Sequence, residues 1–234
     1  VWHAWASQMP AALARAGQVL GDARLLRPAV TDAAVFTPWL LTSGGPDNGR
    51  LPTPVDRTQI AYGVDSRLQS LLAVAGATGR TGFRRLAGMV AAWYFGANAA
   101  GVPAYDPATG RTVDGIAGDG TVNRNAGAES TIHGLLSMLA LDAHPDVAAS
   151  ARQGHIVERL GTAIVEAEQG LLSGGATVVT PPSAWTGESQ YSGNQYVQMP
   201  AGASVRWQLP ASTEPQLVLP ESVAGHRRSR LGHV

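Results

Sequence analysis

Residues 93–141 read WYFGANAAGVPAYDPATGRTVDGIAGDGTVNRNAGAESTIHGLLSMLAL, and the rest of the chain is organised around them. An apolar helix end at Trp93 runs into about 25 residues rich in Gly, Asn and Asp, and a helix resumes at the Gly-Ala-Glu-Ser-Thr step. Loops of that length inside a compact domain usually have a use. This one carries Asp106, Asp114, Asp119, Asn123 and Asn125 to the mouth of a helix that begins near Glu129.

Upstream of the loop the apolar spacing is helical. Trp2, Trp5, Met9, Leu13, Ala16 and Leu20 recur at three to four, predicting an amphipathic helix closed by Gly21. A second helical stretch over 22–41 is expected to break or restart at Pro28 and Pro38. Residues 43–54 form a loop. Asp56 or Thr58 then caps a helix whose apolar positions Ile60, Val64, Leu68, Leu71, Leu72 and Val74 fit a 3.6 period up to Gly76 and Gly79. Another helix follows Thr81, through Phe83, Leu86, Val90 and Trp93.

Downstream, helices are predicted over 126–141 and from Pro145 to about Leu160. That makes roughly six helices joined by short and long loops in alternation, the rhythm of stacked helical hairpins. Beyond Thr162 short alternating runs over 195–199 and 203–209, separated by Gly and Pro, predict an antiparallel β segment, with 217–219 as a further strand. Residues 221–234 read as a basic, unpatterned tail. The expected fold is mainly α, with helical hairpins over 1–161 and a short β segment over 162–220.

Seventeen basic residues, all Arg, balance seventeen acidic ones, which argues against nucleic acid as a partner. The absence of Cys excludes disulfides and thiolate metal sites. No apolar run is long enough to span a membrane. Val1 suggests a chain that starts mid-protein, so secreted and cytoplasmic locations both stay open.

The strings FGANAAGVPAYDPATGRTVDGI and NRNAGAEST resemble the C-terminal part of the six-hairpin α/α toroids of bacterial glycoside-hydrolase-like proteins. A complete ring needs twice the helices this chain offers, so the resemblance implies a partial toroid whose remainder is a partner in its own right. The β segment resembles the start of a galactose-binding-like jelly roll, the fold of many carbohydrate-binding modules. Glu166, Ala167 and Glu168 match the family's opening strand, and Tyr191, Ser192, Gly193, Tyr196 and Val197 its next turn and strand. The resemblance implies carbohydrate as partner and a structural calcium held by Glu166 and Glu168, although two carboxylates are only part of the six or more oxygens calcium takes. The segment is also short of the roughly eight strands of a full jelly roll.

Glycoside cleavage uses two carboxyl groups about 5 to 9.5 Å apart. Glu129, in the first turn of a helix after Gly127, is the leading candidate for general acid or base; as an acid at a helix N-terminus it would also suit a purely capping role. Asp114 is the candidate partner, since its loop leads directly to Glu129, or else a turn residue before Gly115. Asp106 and Asp119 have the neighbours of turn residues. Asn123 and Asn125 are candidates for binding sugar hydroxyls or for pinning the loop.

His133, one turn on from Glu129, is a candidate for substrate binding and proton transfer. Tyr105 joins it as a base if the chemistry is that of a lyase or epimerase. Tyr62 and Asp65 lie at i and i+3, sharing a face or simply solvated, and Trp93, Tyr94 and Phe95 read as core ahead of a sugar-stacking platform. His3, His133, His144 and His155 have no zinc-ligand spacing, and the chain lacks the glycine signatures of nucleotide binding and the serine elbow of acyl transfer. No cofactor is therefore expected for catalysis. The alternative class is a non-catalytic glycan-binding or scaffolding protein.

Overall fold

The computed structural model describes residues 5–42, 44–46, 57–158, 165–182, 195–209 and 211. Asp56, His3, Leu160, Tyr191 to Gly193, the strand expected at 217–219, the 161/162 boundary and the 221–234 tail lie outside them.

Helices α1 (Met9–Leu20) and α2 (Ala23–Thr31) form a hairpin turned by Gly21, whose φ of 64° is the left-handed conformation that glycine adopts without a Cβ penalty. Asp22 caps α2 by accepting the Arg24 N–H at 2.9 Å. The buried face of α1 is not the large apolar set that the spacing suggests: Trp5, Met9 and Leu20 are exposed, and Ala11, Ala14 and Gly17 point inward. Closeness explains the swap. A Cβ on Gly17 would stand 2.9 Å from the Leu26 backbone nitrogen, so only small residues fit where the two backbones meet.

Pro28 does not end α2. The chain stays helical from Ala23 to Thr42, through a widened π-type turn at Asp32–Phe36 into α3 (Thr37–Thr42), with Pro38 in that helix's first turn. Each proline removes one bond to the carbonyl four residues back, and tertiary contacts here outweigh that loss. One such contact is the ion pair of Asp32 with Arg67 on the next helix, at 2.5 Å.

That next helix, α4 (Ala61–Thr78), is the centre of the fold and packs on α1, α2, α5 and α6. Val64, Leu68, Leu71 and Val74 are completely buried, each contributing about 1.5–3 kcal/mol of burial free energy. The N-cap position is taken by Ile60 in extended conformation, so Thr58 is not the cap that the sequence offers; Gly79, at φ 68°, closes the far end and Gly76 stays inside. Helix α5 (Thr81–Ala91) follows, continued by a tight turn Ala92–Phe95. Trp93 and Tyr94 are core residues, not a platform.

After the long loop, which carries the two-residue strands β1 (Gly115–Ile116) and β2 (Val122–Asn123), come α6 (Ala128–Asp142) and α7 (Pro145–Gln153). Helix α6 lies on α4 and α7 on α5. Arg84 of α5 bridges to Asp146 of α7, and a Cβ on Gly88 would reach within 2.7 Å of Ser150 Oγ, another close helix crossing. With α2 and α3 taken as one run, six helices stand among the described residues, as the hairpin rhythm predicts.

The β segment is antiparallel and small. Glu166, Ala167 and Glu168 do not form an opening strand: Ala167–Gln169 is a single tight helical turn preceded by Glu166. Strands follow as β3 (Leu171–Ser173), β4 (Thr177–Val179), β5 (Tyr196–Gln198) and β6 (Ser204–Arg206). They nest, with β4 pairing β5 inside and β3 pairing β6 outside. The chain is thus mainly α with a few short antiparallel strands, and no described helix is long and apolar enough to cross a membrane.

Candidate functional site

Two buried amides fasten the long loop to the helices. Gln59 Oε1 accepts the Trp93 indole N–H at 2.9 Å and the Ala99 N–H at 3.0 Å. Asn98 donates from Nδ2 to the carbonyls of Trp93 and Val102 and accepts the Ala100 N–H on Oδ1. Asp106 and Asp119 are turn residues as expected: Asp106 accepts the Ala108 N–H and the Thr109 hydroxyl, and Asp119 accepts the Thr121 N–H. These bonds hold both carboxyl groups below the usual carboxylate range; the Thr109 hydroxyl is the largest cause for Asp106 and the Thr121 N–H for Asp119. Farther along, Thr112 is fully buried against α6, where a Cβ on Gly134 would clash at 1.9 Å with its hydroxyl.

So fastened, the loop delivers Asp114 to the N-terminus of α6. Asp114 Oδ1 accepts the N–H of Gly127, the residue preceding the helix, at 2.6 Å, and its own N–H donates to Asn125 O. A negative group there is favoured by the unpaired N–H groups and the helix dipole. Glu129 stands in the first turn of the same helix, exposed.

Tyr62, in the first turn of α4, completes the rim. Its phenol is pushed above its ordinary value by burial first, and then by the negative charges of Glu129 and Asp114. Both predicted carboxyl groups therefore lie near enough for their charge to act on this phenol. The Tyr62 ring also lies 5.5 Å from the His133 imidazole, tilted by 31°.

Below the rim is a carboxyl group expected either to share a face with Tyr62 or to be solvated, and it is buried. Asp65 is only 1% exposed. Its Oδ2 accepts His133 Nδ1–H at 2.8 Å and a longer bond from Gln8 at 3.4 Å, while Oδ1 accepts from Ser137 at 3.0 Å and from Gln69 at 3.2 Å. Since a carboxylate only accepts, Nδ1 carries the proton and Nε2 is the ring nitrogen left to take or give one. Ser137 Oγ also lies 3.0 Å from the Tyr94 hydroxyl, which donates to Ala61 O. Burial drives the Tyr94 phenol far above its ordinary range.

Glu129, Asp114 and His133 thus gather at one mouth, with Tyr62 beside the His133 ring and Asp65 buried beneath it. Asn123 lies nearby in the loop, its Oδ1 engaged by the Asn125 N–H, and both side chains are exposed. Tyr105 is half-buried in an adjoining open pocket of about 380 Å³ that also includes Arg111 and Arg124. Glu166 and Glu168 belong to the β segment, and no group of three or more metal-ligating side chains occurs among the described residues. The signal for Asp65 was present as i, i+4 polar pairs, Asp65 with Gln69 on one helix and His133 with Ser137 on the other. No family model matches this chain, and no curated protein matches it.

Proposed function

We propose that this chain belongs to a carbohydrate-active protein that hydrolyses glycosidic bonds by carboxylate acid/base catalysis, with the mouth of α6 as its centre. The observation that carries the reading is the meeting of Glu129 and Asp114, fifteen positions apart in sequence, at the N-terminus of α6, where Asp114 accepts the Gly127 N–H and Glu129 stands in the first turn. Glycosidases pair an acid with a base or nucleophile across the scissile bond. Glu129, exposed in the first turn, is the general acid or base; Asp114, held by the Gly127 N–H, is its partner. Tyr62, with its raised phenol, stays protonated at neutral pH and donates to Glu129 or to a sugar oxygen. His133, Asn123 and Asn125 supply further hydrogen bonds to hydroxyl groups, and Tyr105 a ring for a neighbouring sugar.

At the level of fold, the stacked hairpins support a partial α/α toroid, and α6 exposes Ile132, Leu135, Leu136 and Leu139 on one side, a face that further hairpins would cover. The nested β3–β6 and β4–β5 pairs support a jelly-roll-like carbohydrate-binding segment, in which Glu166 and Glu168 contribute to a structural calcium site.

A second reading rests on the Asp65–His133 pair. A buried carboxylate that fixes the Nδ1 tautomer prepares Nε2 as a general base, and that suits proton abstraction by a lyase or epimerase on the same scaffold.

The test is a glycan array scored for binding and for product, with Glu129→Gln beside the unaltered protein. Turnover that falls at least a hundredfold in Glu129→Gln while binding persists supports hydrolysis; unsaturated products that depend on His133 instead select the lyase. Binding without product in either protein leaves a non-catalytic glycan-binding scaffold.

A further inference from the structure

The pocket beside the mouth of α6 has a charge that the acid/base groups do not explain. Arg111 and Arg124 both line it, against a single carboxylate, Asp106. That carboxylate is already engaged: it accepts the Ala108 N–H and the Thr109 hydroxyl within its own turn, and the Arg111 charge adds a smaller stabilisation. Asp106 therefore offsets at most one guanidinium. Arg124, on the opposite strand of the loop immediately after β2, is left as the surplus positive charge.

Guanidinium groups recognise carboxylates through paired, planar N–H donors. Tyr105, half-buried, gives the same pocket an aromatic wall of the kind on which a sugar ring stacks. Val113 and Ala126 also line it. Val113 adjoins Asp114, and Ala126 adjoins Gly127, the residue whose N–H Asp114 accepts. The pocket is therefore contiguous with the mouth through the backbone of both loop strands.

We propose that this pocket is a subsite for an acidic sugar residue, whose carboxylate pairs with Arg124 and Arg111 while its ring lies against Tyr105. The inference rests on the carbohydrate reading above and narrows the substrate class to glycans bearing uronic acids.

Calorimetric titration of the full chain with a linear oligogalacturonide, a hyaluronan oligosaccharide and the methyl-esterified oligogalacturonide tests it, the ester removing charge and keeping the sugar. The expected result is binding of at least one acidic oligosaccharide, weakened about tenfold or more by esterification or by Arg124→Gln, weakened further by salt, and unchanged by the distant Arg80→Gln. Circular dichroism confirms that the substituted proteins are folded.

Equal binding of the ester and the acid, indifferent to Arg124→Gln, overturns the subsite and leaves the carbohydrate reading intact. Equally tight, Arg124-dependent binding of a poly-glutamate peptide overturns the carbohydrate reading and leaves an anion site. No binding of any acidic oligosaccharide overturns the proposal. Tighter binding of a sulfated than of a carboxylated oligosaccharide overturns the uronic-acid assignment.

Discussion

Helices α4 and α6 face each other across the same site, yet they distribute polarity in opposite ways. Central α4 buries Asp65, Ser66, Arg67 and Ser70, whereas α6, at the periphery, exposes Ile132, Leu135, Leu136 and Leu139. A helix packed on several sides has no solvent face on which to put its polar residues, so they must find partners inside. Asp65 finds four hydrogen bonds and Arg67 finds Asp32. A peripheral helix can leave apolar side chains in water, each at a small cost. Polarity along one helix therefore reports its position in the stack as much as its function.

The sharpest way to break this contrast is to remove one carboxyl group from each helix. Asp65→Ala strands His133, Ser137 and Gln69 around a buried gap and is expected to cost about 3 kcal/mol or more, read from the midpoint of urea denaturation. Glu129→Gln, on the exposed first turn, is expected to stay within about 0.5 kcal/mol of the unaltered protein while turnover is lost. Equal costs would mean that α6 is as enclosed as α4.

Glycines sharpen the comparison next. Gly134→Ala on α6 drives a Cβ into Thr112 and is expected to cost about 1–3 kcal/mol. Gly76→Ala on α4 meets nothing within 4 Å and is expected to stabilise by about 0.5–1 kcal/mol, because alanine is the better helix former. Thermal melts of the two variants should move in opposite directions.

The smaller effects are in pH. Tyr62 has its folded value raised above its unfolded one, so its contribution is complete below the unfolded phenol value and is lost as pH rises through the folded value. Tyr62→Phe should remove that part of the alkaline fall in stability, and ultraviolet titration should show one fewer late-ionising phenol. Asp106 and Asp119 behave in the opposite sense. Their folded values are lowered, so their contribution is present above the unfolded carboxyl value and fades as pH falls through the folded one. Asp106→Ala should flatten the acid limb slightly, and an unchanged limb would show that the turn persists without its carboxyl group.

Several parts of this arrangement were legible in the residues alone. The helices from Ala61 and Thr81 carry a clean 3.6 period, Gly21 and Gly79 stop their helices, and Asp106 and Asp119 have the neighbours of turn residues. The loop named Glu129, Asp114 and His133 as a group because they lie close in sequence. Tyr62 and Asp65 could be seen to share a face but not to belong to the site, since His133 and Ser137 are some seventy positions away and the polar pairs along each helix do not say which helix the other faces. The buried face of α1 escaped for a related reason: whether Met9 or Ala14 points inward depends on how closely α2 approaches, which is set by backbone contact at Gly17. The Glu166–Glu168 run shows the reverse case: its resemblance to a jelly-roll opening strand implies a strand, and the chain takes a helical turn there.

Periodicity, turn chemistry and composition by themselves determined that this protein is mainly helical, that a long polar loop separates its helices and that acids stand at the mouth of α6, because each follows from interactions within a few residues. Only the tertiary structure decided that Asp65 lies buried beneath His133, that the Tyr62 ring lies beside the His133 imidazole, and that two arginines share a pocket around Tyr105. Those facts depend on which helix faces which and at what distance, and packing fixes that only when distant segments are enclosed together.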